Sequence, residues 1–275
     1  MTPHRLRRPA LLAAALLASA ALPARAETIS ATYTVHAAGM TVMEINATLD
    51  VSESGYVVEF RSRMRGLLSA FASGQTTTRV EGVWDGATAR PRRYVSEGVW
   101  RGEPRRTVLE WQGRQPVVRA MVPANQDERE PVPDALQRNT IDSLSAIAQL
   151  VRQVRREGHC NGAARIYDGR RLSELAARTQ GRDQFPPARG EWSGIAMKCA
   201  FEGRFLAGHR KGEDVEAARR PQAGTAWLAE VVPGRPPIPV RIDHDSRWLG
   251  TLTARLASFG PSAQVQAPGR ELTPG

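Results

Sequence analysis

Thr140-Ile141-Asp142-Ser143-Leu144-Ser145-Ala146-Ile147-Ala148-Gln149-Leu150-Val151-Arg152-Gln153-Val154 is the stretch of this 275-residue chain that carries a clear helical repeat. Ile141, Leu144, Ile147, Leu150, Val151 and Val154 recur at three- and four-residue spacing, which gathers them into one stripe on a helix. The spacing predicts a helix over about 140–156. Asn139 or Thr140 is expected to cap it, with Asp142 at its positive end, Arg152, Arg155 and Arg156 at its negative end, and Gly158 to stop it. Both flanks read as short strands, so this amphipathic helix must bury its stripe against a sheet.

Strand signals fill those flanks. Ile29, Ala31, Tyr33 and Val35 alternate with polar or small residues, as do Met43, Ile45, Ala47, Leu49 and Val51, and a turn at Ser52 to Gly55 leads into Tyr56, Val58, Phe60 and Met64. Alternation of period two marks strands with one buried face. Further strands are expected at Thr76 to Trp84, Tyr94 to Trp100, Arg105 to Trp111, Gln115 to Val122, Gly194 to Phe201, Thr225 to Val232, Ile238 to Ile242 and Trp248 to Phe259. Close spacing with turn chemistry such as Asp85-Gly86 argues for a meander rather than βαβ units. The fold class is therefore mainly β, an antiparallel meander curved into an open barrel or β-spiral with the helix packed on it. Trp84, Trp100 and Trp111 close three strands and read as core or rim packing. Gly66 to Ser73 is expected to form a bend, Pro123 to Asp134 an irregular loop, Gly208 to Pro221 a charged loop with His209 in solvent, and Asp243 to Ser246 an Asx-type turn.

The first residues address a compartment. Arg5, Arg7 and Arg8 precede the apolar run Ala10 to Leu22 and the small-residue site Ala24-Arg25-Ala26, the order of a secretory signal peptide. The domain plan is a signal peptide at 1–26, one β-rich periplasmic domain at 27–259 and a disordered Pro/Gly-rich tail at 260–275. No cysteine follows the cleavage site, so no lipid anchor is expected, and no later run is long enough for a transmembrane helix. The net charge of +10 falls to +6 when Arg5, Arg7, Arg8 and Arg25 leave. The remaining arginines are scattered, among them Arg61, Arg63, Arg65, Arg79, Arg90, Arg92, Arg93, Arg105 and Arg106. Without a basic strip interleaved with exposed aromatics on a known module, nucleic acid is not an expected partner.

Cys160 and Cys199 are the chain's two cysteines, and in an oxidising compartment they are expected to pair. The bridge would close a loop of about 40 residues, worth on the order of 3 to 4 kcal/mol. A His159/Cys160 nucleophile pair lacks an orienting third group, and no second Cys or His stands at metal-ligand spacing. Between the cysteines, Ile166-Tyr167-Asp168-Gly169-Arg170-Arg171 reads as a hairpin tip. Tyr167, Asp168, Arg170 and Arg171 are the candidate binding residues there, a polar cluster able to hold an anionic headgroup or a partner.

Thr140-Ile141-Asp142-Ser143-Leu144-Ser145, Cys160 followed by Ile166 to Arg171, Cys199, and Pro239-Val240-Arg241-Ile242 together resemble a family of exported bacterial proteins catalogued as domain of unknown function 3108. The resemblance implies periplasmic residence and a β-rich fold, with no catalytic residues to carry over. A curved sheet with a helix on its concave side also looks like periplasmic lipoprotein carriers and β-spiral envelope-integrity proteins, a likeness of fold alone. The expected function is a non-catalytic, monomeric periplasmic protein, without cofactor or metal, that binds a lipid, lipoprotein or peptide on the concave face and supports envelope integrity. The second reading is a hydrolase of envelope glycans or lipids, which would need paired carboxylates or a nucleophile with its base. The sequence offers no Gly-x-Ser-x-Gly, His-Glu-x-x-His, phosphate-loop or dinucleotide pattern.

Overall fold

The computed structural model describes residues 28–66, 69, 74–246 and 250–261. The signal segment, most of the Gly66 to Ser73 bend, the start of the last strand at Trp248 and nearly all of the tail lie outside the described residues.

Thirteen antiparallel strands form one open sheet. The chain enters at the centre with β1 (Ile29–Ala37) and meanders outward through β2 (Met40–Val51), β3 (Gly55–Met64), β4 (Gly74–Asp85), β5 (Thr88–Trp100) and β6 (Glu103–Gln112) to the edge strand β7 (Gln115–Val122). It crosses to the opposite edge through α1 (Asn125–Glu128), α2 (Asp134–Gln137) and α3 (Ser143–Glu157). From there it returns through β8 (Gly162–Tyr167), β9 (Leu172–Phe185), β10 (Gly194–Ala207), a short α4 (Val215–Arg219), β11 (Gln222–Ala229) and β12 (Ile238–Ser246) to β13 (Gly250–Pro261). β13 pairs with β1, Tyr33 lying opposite Leu256, and zips the two meanders together.

Alternation sets the face of each strand. Ile29, Ala31, Tyr33, Val35 and Ala37 are all buried on β1 while the residues between them are partly exposed. The same parity buries Ala47 and Leu49, Tyr56 and Val58, Val80, Tyr94 and Leu109 on successive strands, and α3 lies on this concave face with Leu144, Ala148, Val151 and Val154 buried against it. On the outer face the arginines find carboxylates, Arg61 along its own strand on Glu59 and the others across strands: Arg79 on Glu59, Arg65 on Glu44, Arg93 and Arg119 on Glu110, Arg106 on Glu97. The exposed pairs among them each contribute at most about 1 kcal/mol, Glu59 itself being buried, and all of them hold these guanidiniums to the sheet.

Four local readings are corrected. The helix cap is Asp142, not Asn139 or Thr140. Asn139 adopts φ of 58° and the Thr140 hydroxyl donates to the Gln137 carbonyl at 2.6 Å, so the chain turns before the helix starts. Gly158 does end it, at φ of 70°. Asp243 to Ser246 is not a turn but the end of β12, paired with β11 and β13, because cross-strand hydrogen bonds on both sides override the turn-like composition. Pro123 to Asp134 holds the single turn α1, and Gly208 to Pro221 holds α4 with His209 buried, not solvated. Trp84 and Trp111 pack on the core and donate to the carbonyls of Ser52 and Thr140, as rim residues would.

Candidate functional site

The helix is anchored by a buried polar chain at its start. The Asp142 carboxylate accepts the Leu144 and Ser145 amides at 2.9 Å each and the Ser145 hydroxyl at 2.5 Å, and the Tyr56 hydroxyl donates to Ser145 at 2.8 Å. Asp142 and Ser145 are wholly buried. Burial pushes the Asp142 carboxyl up to about 6, although the three donors around it act in the opposite direction.

At the other end, Cys160 sits two residues beyond the Gly158 cap and is bonded to Cys199 on β10, with Cα atoms 6.1 Å apart. The Cys160 amide donates to the Thr179 hydroxyl on the intervening β9 at 2.9 Å. The disulfide therefore fixes the end of α3 over β9 and β10.

Held at both ends, α3 fills only the first half of the sheet. Its second apolar flank, Ala146, Ile147 and Leu150, faces β8 and β9 across a cleft of about 240 Å³ whose other wall includes Ala164, Ile166, Leu175 and Ala177, with Cys160 alongside. Register explains the gap. Ala164, Leu175 and Gly203 lie in one row across β8, β9 and β10, and Gly162, Ala177, Phe201, Gly224 and His244 lie in the next across β8 to β12. Where the first half presents Leu49, Val58, Val80 and Leu109, these rows present mostly Ala and Gly. Phe201 lies flat across Gly224, where an added Cβ would come within 2.3 Å of its ring, and stacks on His244 at 6.1 Å.

Ser143, Ile166 and Leu175 also line a second hollow of about 320 Å³, so the two adjoin. Tyr94 of β5 faces this second chamber from across the sheet, and Phe201, Phe205, Gln222, His244, Asp168, Arg171 and Arg220 line it as well. The Arg171 guanidinium lies 5.5 Å over the Phe205 ring. The buried Nδ1 of His244 has no hydrogen-bond partner.

The hairpin-tip residues singled out from the sequence are divided by the structure. Tyr167 is buried and its hydroxyl donates to the Gly169 carbonyl at 3.0 Å, burial pushing its phenol up to about 12. Asp168 accepts the Arg170 and Arg171 amides at 2.9 and 2.7 Å and pairs with the Arg171 guanidinium at 2.8 Å. Arg170 donates to the Pro123 carbonyl at 2.7 Å and pairs with Glu128 at 3.3 Å, beside Arg105 on the same carboxylate at 2.8 Å. Burial opposes the charge on Glu128, but the hydrogen bond and positive fields of Arg105, Arg170 and Arg129 outweigh it and hold the carboxyl below its usual range. Gly169 itself presses on Thr107, Leu109 and Met121. Gly169 and Arg170 thus latch the β8–β9 tip onto the far edge of the sheet, Tyr167 holds the tip's own turn, and Asp168 and Arg171 look into the second chamber. Ile147, Leu150, Leu175, Phe201, Arg220 and His244 are lining residues that sequence reasoning did not single out as a site. The excess width of the helical stripe, which counted Ile147 and Leu150 as buried, was their one signal.

Among the described residues no helix is long and apolar enough to cross a membrane, and no three His, Cys, Asp or Glu side chains gather at metal-ligand distance.

Comparison with solved structures finds the same fold in the crystal structure of a beta-barrel-like protein of domain of unknown function DUF1849 from Brucella abortus. It is 14% identical, covers 87% of this chain and 100% of its own, and superposes with a TM-score of 0.55. LprF from Mycobacterium bovis, 11% identical over 89% of this chain and 90% of its own, superposes with a TM-score of 0.25, too low to equate the folds. No curated protein matches the sequence. The family model described as protein of unknown function, DUF3108, matches residues 32–257, which is most of the chain, and the protein belongs to that family.

Proposed function

We propose that this protein is a non-catalytic binding protein of the bacterial cell envelope that shelters the acyl chain of a lipid or lipoprotein between α3 and strands β8 to β10. The observation that carries the reading is the hollow half of the concave face. A 15-residue helix packs tightly on one side, and on the other leaves a cleft of about 240 Å³ walled by Ile147, Leu150, Ala164, Leu175 and Ala177. Ligand pockets are concave, mostly apolar and furnished with a few convergent polar groups, and the two adjoining chambers have that character.

Residence in the periplasm is supported by the charged, apolar and small-residue order of 1–26 and by the Cys160–Cys199 bridge, which persists in oxidising compartments. A binding role without chemistry is favoured because Asp142, Ser145 and Tyr56, which place an acid beside two hydroxyls, are sealed in the core as a helix cap.

Native mass spectrometry of the protein purified from a bacterial periplasm, followed by lipid extraction, tests the reading. An acyl species in fixed ratio is the expected result. A clean apo mass that persists after incubation with membrane extract would overturn it.

A further inference from the structure

We propose that the ligand of this cleft is a single-chain amphiphile with an anionic carboxylate or phosphate head, and that Arg171, Arg220 and His244 receive that head. The inference rests on the acyl-chain reading above and adds the identity of the other end of the molecule.

The apolar cleft and the larger chamber adjoin at Ser143, Ile166 and Leu175, which places Phe201, Phe205, Gln222 and His244 next to the end of a chain lying along Ile147 and Leu150. The cleft, about 240 Å³ and narrow between α3 and β8–β9, suits one slender chain.

Charge decides the head. Glu174 and Arg204 border the larger chamber, but they pair with each other at 2.8 Å in a row of alternate parity, opposite Arg165, and cancel. That leaves Arg171 and Arg220 against the single carboxylate of Asp168, an excess of positive charge. Arg171 gives Asp168 its Nε and Nη2, which keeps its Nη1 donors for another acceptor. The orphaned Nδ1 of His244 is a second independent mark, since a buried ring nitrogen without a partner calls for a polar group that the protein does not supply. An anionic oxygen or an acidic O–H at this place would answer both.

The test measures binding of dodecanoate, dodecyl phosphate, dodecyl maltoside and dodecyltrimethylammonium to the exported protein by calorimetry below their micelle concentrations, with inorganic phosphate as a chainless control. A hydrogen bond to a charged group contributes about 1.5–3 kcal/mol, so both anionic amphiphiles should bind about tenfold or more tighter than the maltoside. Arg220→Gln should lower the affinity of both anionic amphiphiles about tenfold, and an undiminished preference for the anionic heads in that variant would overturn the headgroup site. Equal affinity for all four heads would overturn the headgroup site and leave the acyl-chain reading standing. Binding of none would overturn both. Inorganic phosphate binding as tightly as dodecyl phosphate would make the ligand a free anion and overturn the amphiphile.

Discussion

Replacing Asp142 with alanine is expected to unseat α3 and with it one wall of the cleft. Two losses add. The first is the cap itself: without its carboxylate the Leu144 and Ser145 amides lose their acceptor, which costs about 0.5–2 kcal/mol. The second is the Ser145 hydroxyl, wholly buried, which donates to Asp142 and accepts from Tyr56; stripped of its acceptor it costs about 1–3 kcal/mol. Together they come to about 1.5–5 kcal/mol, a large part of the roughly 5–15 kcal/mol that stabilises a typical domain. For a chain of this size that corresponds to a fall in Tm of about 3–20 °C. Asp142→Asn keeps one acceptor oxygen and should fall between wild type and alanine. Urea unfolding followed by tryptophan fluorescence reads all three proteins. The pH profile supplies a second signature. Because burial raises the folded carboxyl to about 6, its contribution to stability is fully present below the unfolded value near 4 and is lost as pH rises through 6. That slope should vanish in Asp142→Asn. An alanine variant within about 0.5 kcal/mol of wild type would refute the view that this polar chain positions the helix.

Four further outcomes are expected. Cys160→Ser should lower stability by about 3–4 kcal/mol, since the bridge closes a 39-residue separation; equal melting temperatures of variant and wild type under oxidising conditions would count against it. Leu150→Trp should fill the cleft and abolish acyl binding with little change in Tm, read by native mass spectrometry; retained ligand would place the chain elsewhere. Glu128→Gln should loosen the hairpin tip, costing about 1 kcal/mol, and because the Glu128 carboxyl is held below its usual range, the wild-type latch should be complete above pH about 4.5 and weaken as pH falls through the lowered folded value, a slope the variant lacks. Gly224→Val should displace Phe201 from its stack on His244, giving a reduced affinity for ligand, because a Cβ there meets the ring at 2.3 Å; unchanged affinity would show that Phe201 does not shape the chamber.

The strand plan was legible because burial writes itself into alternation: Ile29, Ala31, Tyr33 and Val35 point inward in both the pattern and the fold. The helix and its Gly158 stop were legible for the same reason. Its cap was not, since Asn139, Thr140 and Asp142 are all good capping residues and only the left-handed turn at Asn139 decides among them. Asp243 to Ser246 looked like a turn because local composition says nothing of the two strands that flank it. The cleft was hidden more deeply. Its walls depend on which small residues share a row, and a bulge in β9 opposite Met197 to Cys199 and another in β10 between Phe205 and Ala207 shift the parity of these strands, so inward positions could not be counted from the sequence. The helical stripe did contain Ile147 and Leu150, but periodicity cannot say that one helix faces two surfaces, one packed and one open. Arg170 and Arg171, neighbours in sequence, carry separate duties for a similar reason: one turns to Glu128 at the far edge and the other to Phe205 in the chamber.

The most direct test of the acyl-chain cleft is photocrosslinking with a long-chain fatty acid that bears a diazirine near its methyl end, mapped by peptide mass spectrometry on the purified protein. The account predicts adducts on the α3 segment around Ile147 and Leu150 and on the β9 segment around Leu175. Adducts confined to the outer face of the sheet, or none above the level of the Leu150→Trp variant, would contradict it.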